Sequence, residues 1–284
     1  KLTDSNGVIH HYDTLILATG SRPFVPENAQ LHLPGRFTIR KKDDADRLRN
    51  YLEQTQLPPE EQHVVIVGGG LLGLELAAAL KHKKVKITII QRASRLMERQ
   101  LDRISSKLLA EEVQQRDIQI YFDNEVSTVF STNRAHELEI ALKSGRTLTA
   151  NAIVYTIGTI PNIEVAKEAG LTCARGVKVN QYLQSSNPSI FAIGEIAEFN
   201  NQLFGITSAA EEQADILANY LAGDISSHYK GSVLMNILKL EDINLCSIGE
   251  IEVPENDDSY EEIVFSDLGK RYYKKCIVKN DLLI

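Results

Sequence analysis

Residues 64–75 read Val64-Val65-Ile66-Val67-Gly68-Gly69-Gly70-Leu71-Leu72-Gly73-Leu74-Glu75. A β-branched apolar run, a G-x-G-x-x-G spacing and a following Ala- and Leu-rich stretch predict a strand, a tight turn and a helix. The spacing assigns Gly68 to the turn, Gly70 to close backbone approach by a pyrophosphate, and Gly73 to close packing of helix on strand. Leu71 and Leu72 begin the helix, whose N–H groups and positive dipole end favour phosphates. A second strand predicted over 85–90 argues against the alternative, a glycine-rich turn without a ligand.

The composition is that of an ordinary globular chain. Its 284 residues suffice for two domains or slightly more, and the hydrophobic fraction of 43% is typical of soluble proteins. The net charge of −7 argues against a nucleic-acid-binding surface. No apolar run reaches the length of a membrane span and no leader pattern precedes the first strand, so we expect a cytoplasmic protein without membrane attachment.

The cysteines and histidines form no recognisable site. Cys173, Cys246 and Cys276 are odd in number and far apart, which fits neither a disulfide framework nor a redox or metal pair. The seven histidines show no ligand spacing. We therefore expect ordinary thiols and no metal site.

Both ends of the sequence lie within predicted hairpins. The first has its turn at Asn6-Gly7, and the last has Asn280-Asp281 at its tip. We therefore expect the sequence to be a segment of a longer chain.

Between these ends strands and helices alternate. A proline-rich extended linker that includes Pro23, Pro26 and Pro34 is expected before the first long helix. From residue 226 onward strand patterns dominate, which predicts a separate β-rich module. The other predicted strands cover 12–18, 118–122, 126–130, 138–142, 146–149, 152–157, 189–193, 232–240, 246–253, 261–265 and 272–278. The other predicted helices cover 43–54, 101–113, 164–168 and 209–222.

Three motifs in one order resemble a known family. Thr14-Leu15-Ile16-Leu17-Ala18-Thr19-Gly20, then residues 68–75, then Ser189-Ile190-Phe191-Ala192-Ile193-Gly194-Glu195 are similar to the pyridine nucleotide-disulfide oxidoreductases. The finer pattern over 95–102, 158–162 and 191–198 resembles the flavin-containing portion of the large subunit of NAD(P)H nitrite reductases. The likeness covers roughly residues 8 to 225 well and the remainder more weakly.

The resemblance implies an α/β fold with two Rossmann-like dinucleotide-binding domains and an incomplete C-terminal β-rich interface domain. In this family an FAD domain is interrupted by an NAD(P)H domain. Residues 1–27 and 150–225 then form the FAD domain, with its N-terminal part truncated. Residues 28–149 form the NAD(P)H domain, and residues 226–284 belong to the β-rich domain.

The resemblance also assigns site residues beyond the glycine-rich stretch. Thr19 and Gly20 fall on the FAD side at the crossing point, and we add Arg22 from the same loop. Gly194 and Glu195 correspond to the ribityl and pyrophosphate region of the flavin. The remaining two assignments are Gly158, near the nicotinamide cofactor, and Glu75, an acidic residue near the nicotinamide end whose alternative role is a carboxylate favoured by the helix dipole.

Two features depart from the family pattern. Gln91 stands at the end of the second strand, where an acidic residue would hold the ribose 2′-OH, and Arg92 and Arg95 follow it. A neutral amide beside guanidinium groups would tolerate a 2′-phosphate, so we expect NADPH to be accepted as well as NADH. The family's first glycine-rich loop, which cradles the ADP of FAD, does not occur in these residues.

The implied activity is electron transfer from NAD(P)H through FAD to a downstream redox centre. Without paired cysteines the disulfide-reducing branch is disfavoured, and the cofactors do the chemistry without a protein nucleophile or catalytic residue. We expect the reductase part of a nitrite reductase-like protein with a redox partner domain or protein, siroheme and iron–sulfur ligands outside this segment, and a homodimer as an option. The alternatives are a stand-alone reductase of rubredoxin, ferredoxin or oxygen, and a non-catalytic nucleotide-binding redox sensor.

Overall fold

The computed structural model describes residues 1–240, 243–254 and 257–284. They fall into two compact units, one made of residues 1–22 and 159–234 and the other of residues 23–158 and 235–284. The α-helices in these residues are α1 Lys42–Gln54, α2 Leu71–His82, α3 Arg103–Gln115, α4 Glu164–Glu168 and α5 Thr207–Leu221. The strands are β1 Leu2–Thr3, β2 Ile9–His10, β3 Leu15–Leu17, β4 Ser21–Pro23, β5 Arg36–Thr38, β6 His63–Val67, β7 Lys86–Ile90, β8 Ile118–Tyr121, β9 Val126–Ser131, β10 Leu138–Leu142, β11 Thr147–Ala150, β12 Ala152–Tyr155, β13 Thr159–Pro161, β14 Val177–Val179, β15 Ile190–Ala192, β16 Ala197–Phe199, β17 Gln202–Leu203, β18 Met235–Leu240, β19 Ile243–Ile248, β20 Tyr260–Asp267, β21 Tyr272–Lys279 and β22 Leu282–Leu283.

The larger unit is built on a five-stranded parallel sheet with the order β5-β12-β6-β7-β8. Val64, Val65 and Ile66 of the central strand β6 are fully buried, as expected where both faces of a parallel sheet are covered. Leu74 of α2 and Leu109 of α3 join the core on one face. Both helices therefore pack on the sheet that carries the glycine-rich turn.

An antiparallel meander covers the other side of this sheet. Its order is β11-β10-β9, and Ile140 of its central strand is fully buried. That side chain packs in one cluster with Val65 and Tyr155 of the parallel sheet. The predicted meander is thus confirmed.

The C-terminal strands belong to the same compact unit as the parallel sheet. The hairpin β18–β19 buries Leu238 in the core beside α2, and the sheet β20-β21-β22 lies on α3. The predicted strand over 246–253 is displaced, because β19 pairs Ile243 with Leu240 and ends opposite Met235 at Ile248. Pairing with a six-residue partner, rather than the residue pattern alone, sets these bounds.

The smaller unit contains the parallel pair β3–β15 and the sheet β14-β16-β17. Its strand β3 is shorter than the predicted strand over 12–18. Leu17, Ile190 and Ala192 pack with Ile196 in one core cluster, and α5 contributes Leu217 to another.

The linker and the domain boundaries differ from the sequence expectation. The linker expected to be extended contains β5, an edge strand that pairs with β12 through Phe37 opposite Val154. The compact units divide the chain after Arg22 and after Gly158, whereas the predicted boundaries followed residues 27 and 149. The second shift arises because the fully buried strand β12 pairs with β6 and so belongs to the glycine-loop sheet.

In the part of the chain that the structure describes, none of the helices is long and apolar enough to cross a membrane. The same residues contain no group of three or more His, Cys, Asp or Glu side chains that could hold a metal ion.

Candidate functional site

The turn between β6 and α2 forms the centre of the first candidate site. Gly70 caps α2 with extended backbone, at φ −87° and ψ −175°, and no side chain in the described part of the protein caps this helix end. The N–H groups at the start of a helix carry the positive end of its dipole, so this end suits an anion.

The three glycines of the G-x-G-x-x-G motif have different surroundings. Gly68 has φ +114°, and a methyl group there would lie 2.7 Å from the Thr156 carbonyl oxygen. A methyl group on Gly73 would overlap the Gly68 carbonyl oxygen, and would lie 2.8 Å from Thr156 Oγ1. A methyl group on Gly70 would meet no atom of the described residues within 4 Å. The loop is therefore tightly packed on its sheet side and open where a pyrophosphate would approach.

An open cavity of about 650 Å³ lies over this turn, within the size range of small-molecule sites. Its charged lining comprises Arg92, Glu98, Arg99, Glu125 and Lys143. The Glu125 carboxylate accepts a hydrogen bond from Lys143, which holds the pKa of that carboxyl below its usual value. Predicted site residues that line the cavity are Gly68, Gly70, Leu71, Leu72, Gln91, Arg92 and Gly158.

Gln91 lies at the end of β7 with 8% of its surface exposed. Its Oε1 accepts a hydrogen bond from the Gly69 N–H at 2.7 Å, and its Nε2 donates to the Arg95 carbonyl oxygen at 3.1 Å. Arg92 is exposed at the cavity. The Arg95 guanidinium instead donates to the Glu98 carbonyl oxygen and pairs with the Glu252 carboxylate at 2.8 Å.

Glu75 lies one turn into α2 and is half-buried. Neither it nor Gly73 belongs to the described lining of the cavity. Gly73 instead packs beneath the loop, against the Gly68 carbonyl oxygen and Thr156.

The other predicted residues meet in the smaller unit. Thr19 Oγ1 donates to the Asn162 carbonyl oxygen at 2.6 Å, and the Asn162 N–H donates to the Gly20 carbonyl oxygen at 2.9 Å. Arg22 donates to Asn162 Oδ1 at 2.9 Å and pairs with Glu164 at 2.7 Å. Asn162 thus holds the loop that follows β3.

Gly194 and Glu195 follow β15, the parallel neighbour of β3. The Gly194 N–H donates to Gln213 Oε1 at 2.7 Å, and Glu195 Oε2 accepts from Ser21 Oγ at 2.9 Å. Gly20 and Gly194 both have positive φ. Among the residues that the structure describes, a methyl group would meet nothing within 4 Å at Gly20 and a single side-chain carbon, at 3.8 Å, at Gly194. Two strand ends therefore offer open backbone, which fits the close approach of a flat cofactor.

Sequence reasoning missed several residues that organise these sites. Thr156 Oγ1 donates to the carbonyl oxygens of Val67 and Gly68 at 3.0 and 3.2 Å, so it fixes the glycine loop from the next strand. Thr156 follows β12, and Asn124, another cavity residue, stands beyond β8. Position at the carboxyl end of a parallel strand is the signal that could have identified both.

Comparisons with known families match nearly the whole chain. Residues 1–214 match the family described as pyridine nucleotide-disulphide oxidoreductase. Residues 235–284 match the rubredoxin NAD+ reductase C-terminal domain.

Curated relatives are similar along the same length. The assimilatory nitrate reductase electron transfer subunit of Bacillus subtilis is 32% identical over 272 residues, covering 96% of this chain and 34% of the relative. The nitrite reductase [NAD(P)H] of the same organism is 32% identical over 285 residues, covering 100% of this chain and 34% of the relative. The chain thus spans about a third of the length of these relatives.

A solved structure shares the fold. The ferredoxin reductase for the CYP199A2 system from Rhodopseudomonas palustris superposes with a TM-score of 0.84 at 25% identity, over 97% of this chain and 66% of that one. The α/β class with Rossmann-like nucleotide-binding domains and a C-terminal β-rich domain is thereby confirmed.

Proposed function

The chain belongs to the pyridine nucleotide-disulphide oxidoreductase family, and from that premise we propose that it is the reductase part of an FAD-dependent NAD(P)H oxidoreductase. The observation that carries the proposal is the cavity over the glycine-rich turn, which is open at Gly70 and has an uncapped helix end beneath it. The second support is the pair of open strand ends at Gly20 and Gly194 in the smaller unit.

The residues of the larger unit suit a nicotinamide dinucleotide. The first turn of α2, at Leu71 and Leu72, would bind the pyrophosphate through backbone N–H groups. Arg92 would lie toward the ribose end, because it follows β7 and lines the same cavity. Gly158, at φ +107° and without a contact that a methyl group would disturb, leaves room for the nicotinamide side.

The residues of the smaller unit would hold FAD. Gly20 and Gly194 would allow backbone to approach it, while Asn162 and Gln213 fix the loops that carry them. A bound nicotinamide supplies a hydride and a bound flavin can accept it and release electrons singly. The chain contributes alignment and exclusion of water, and no side chain in this proposal acts as a nucleophile.

We propose a redox centre in a partner domain or protein as the electron acceptor. The names of the B. subtilis relatives, an electron transfer subunit and a nitrite reductase, support the nitrite reductase-like assignment. On that assignment siroheme and an iron–sulfur cluster would be held by other domains. The C-terminal match to a rubredoxin NAD+ reductase domain favours a second candidate, the reduction of a small iron–sulfur electron carrier.

The remaining parts of the proposal concern environment and assembly. Cys173, Cys246 and Cys276 are free thiols, as is usual in the reducing cytoplasm, which we propose as the location. We also propose a homodimer and no binding to nucleic acid or membrane. Size-exclusion chromatography with light scattering tests the dimer. A mass twice that of one chain supports it, and the mass of a single chain contradicts it.

The acceptor is tested by electron-transfer assays on the purified protein under nitrogen. Reduction of nitrite only when the remaining domains of a nitrite reductase are present supports the first candidate. Rapid NADH-dependent reduction of added rubredoxin or ferredoxin by this chain supports the second. A protein that binds nucleotide yet reduces none of these acceptors would instead be a sensor module.

A further inference from the structure

Both polar atoms of the Gln91 side chain are engaged by backbone. Oε1 accepts from the Gly69 N–H, and Nε2 donates to the Arg95 carbonyl oxygen. The side chain is 8% exposed, so these contacts lie largely out of water. A hydrogen bond from Gln91 to a ribose would compete with an existing contact to the protein backbone.

The residue that Gln91 holds is the middle glycine of the turn. The Gly69 carbonyl oxygen also accepts from the Met97 N–H at 3.0 Å. A methyl group on Gly69 would lie 2.5 Å from Leu96 Cδ2, so the two segments are closely packed. The segment 91–97 therefore fixes Gly69 at both its N–H and its carbonyl group.

The two hydrogen bonds of the Gln91 side chain, from the Gly69 N–H and to the Arg95 carbonyl oxygen, require a neutral amide. One end faces a donor and the other faces an acceptor, and an amide side chain supplies one of each. A carboxylate at the same place would accept from Gly69 but would set a negative oxygen against the Arg95 carbonyl oxygen. An apolar side chain of similar length would leave a buried N–H and a carbonyl without this partner, which destabilises the turn.

We propose that Gln91 is a positioning residue that orients the glycine-rich turn for the pyrophosphate and does not itself recognise the ribose. The inference rests on the proposed function, because it concerns the nicotinamide dinucleotide site. It follows that the amide at this position does not choose between NAD+ and NADP+. Any choice between them falls to other groups of the cavity, and Arg92 is the nearest charged one in the sequence among the described lining residues.

The test compares Gln91→Glu and Gln91→Met with the unmodified protein, using calorimetric titration with NAD+ and with NADP+. Gln91→Met should weaken the binding of both nucleotides equally, by about tenfold, because the turn loses its fixed orientation and both nucleotides carry the same pyrophosphate. Gln91→Glu should weaken both at about pH 8 and recover toward the unmodified protein at about pH 5, since burial favours the protonated carboxyl and that group both donates and accepts. Circular dichroism at each pH establishes that the variants are folded.

The unmodified protein over the same pH range is the matched control. It retains the charged groups that line the cavity, Arg92, Glu98, Arg99, Glu125 and Lys143, as well as Arg95 beside the amide. Its own change in affinity with pH therefore measures their contribution. Only the additional recovery of nucleotide affinity in Gln91→Glu reports on the two hydrogen bonds of this side chain.

Two results would overturn the positioning role. One is tighter binding of NAD+ together with a selective loss of NADP+ binding in Gln91→Glu, which would mean that the side chain recognises the ribose. The other is unchanged binding of both nucleotides by Gln91→Met.

Failure of the proposed function gives a different result. If the unmodified protein binds neither nucleotide, hydrogen exchange at the Gly69 amide, measured by NMR in ligand-free protein, still decides the positioning role. Faster exchange in Gln91→Met than in the unmodified protein supports it, and equal exchange contradicts it.

Discussion

Gly70 and Gly73 stand three residues apart in one motif, yet an added methyl group would meet different surroundings at each. At Gly73 it would overlap the Gly68 carbonyl oxygen and crowd Thr156, whereas at Gly70 it would enter open space. Stability and ligand binding should therefore be separable by substitutions within the same motif.

We expect Gly73→Ala to lower the free energy of unfolding of the larger unit by about 1–3 kcal/mol, because the backbone must shift to admit the methyl group. Gly70→Ala should change stability by less than about 1 kcal/mol but weaken nucleotide binding by about tenfold, because its methyl group enters the pyrophosphate approach. Urea unfolding and calorimetric titration measure the two quantities. Equal effects of both substitutions on both quantities would contradict the assignment.

Arg92 is the cavity residue best placed to favour a 2′-phosphate. We expect Arg92→Ala to weaken NADP+ binding by about tenfold and NAD+ binding much less, because a charge-assisted contact to the phosphate is lost. Arg99→Ala, which removes another cavity cation, is the matched control. A preference of about a hundred-fold for NADH over NADPH in the unmodified protein would rule out this role of Arg92 and the acceptance of NADPH that the sequence predicts.

At the scale of elements, the start of α3 is bonded to the C-terminal sheet. Asp102 caps α3 by accepting from the Ser105 N–H at 2.9 Å, and its other oxygen accepts from the Tyr273 hydroxyl at 2.6 Å. Lys275, 13% exposed, lies 3.4 Å from the same oxygen and 2.7 Å from Glu262. One carboxylate thus serves both as helix cap and as an anchor for β21.

Tyr273→Phe should lower stability by about 1–3 kcal/mol, because hydrogen bonds to charged groups are among the stronger ones. Tyr272→Phe is the matched control, since Tyr272 is exposed on the same strand. Thermal unfolding followed by circular dichroism measures the difference. Equal melting temperatures for the two variants would contradict the anchoring role.

The same cap predicts a loss of stability in acid. Burial acts to raise the pKa of Asp102, but hydrogen bonds from Ser105 and Tyr273 and the charge of Lys275 outweigh it, so the pKa lies below its usual value. A carboxyl whose pKa is lowered by folding stabilises the protein above its unfolded pKa and loses that effect as pH falls through the folded value. The stability difference between Tyr273→Phe and the unmodified protein should therefore shrink below about pH 4. A difference that stays constant in urea unfolding down to about pH 2 would contradict this.

The elements around the glycine-rich turn were predictable because β6 is, from Val64 to Val67, a continuous apolar, β-branched run and α2 is rich in Ala and Leu. The edge strand β5 was missed because its three residues, Arg36 to Thr38, carry no such pattern and are defined by pairing with β12. The bonds from Gln91 to Gly69 and Arg95 could not be predicted either, since they depend on how the end of β7 meets the turn. The sequence predicted several residues that the structure brings together at one cavity, whereas their individual contacts depend on three-dimensional packing.

At the scale of the whole molecule, the chain alternates between its two compact units. The smaller unit consists of two sequence segments, residues 1–22 and 159–234, which flank residues 23–158 of the larger unit in the sequence. This order is expected when one nucleotide-binding domain is inserted in another. Residues 235–284 join the larger unit and match a reductase C-terminal domain. The family match and this organisation together support two cofactors for one chain, one in each unit.

The most direct test of that claim is cofactor extraction and anaerobic titration of the purified protein. We predict a yellow protein that releases FAD identified by mass spectrometry, and whose flavin absorbance is bleached by NADH or NADPH under nitrogen. A colourless protein that yields no flavin even after incubation with FAD, or a bound flavin that neither nucleotide bleaches, would contradict the account.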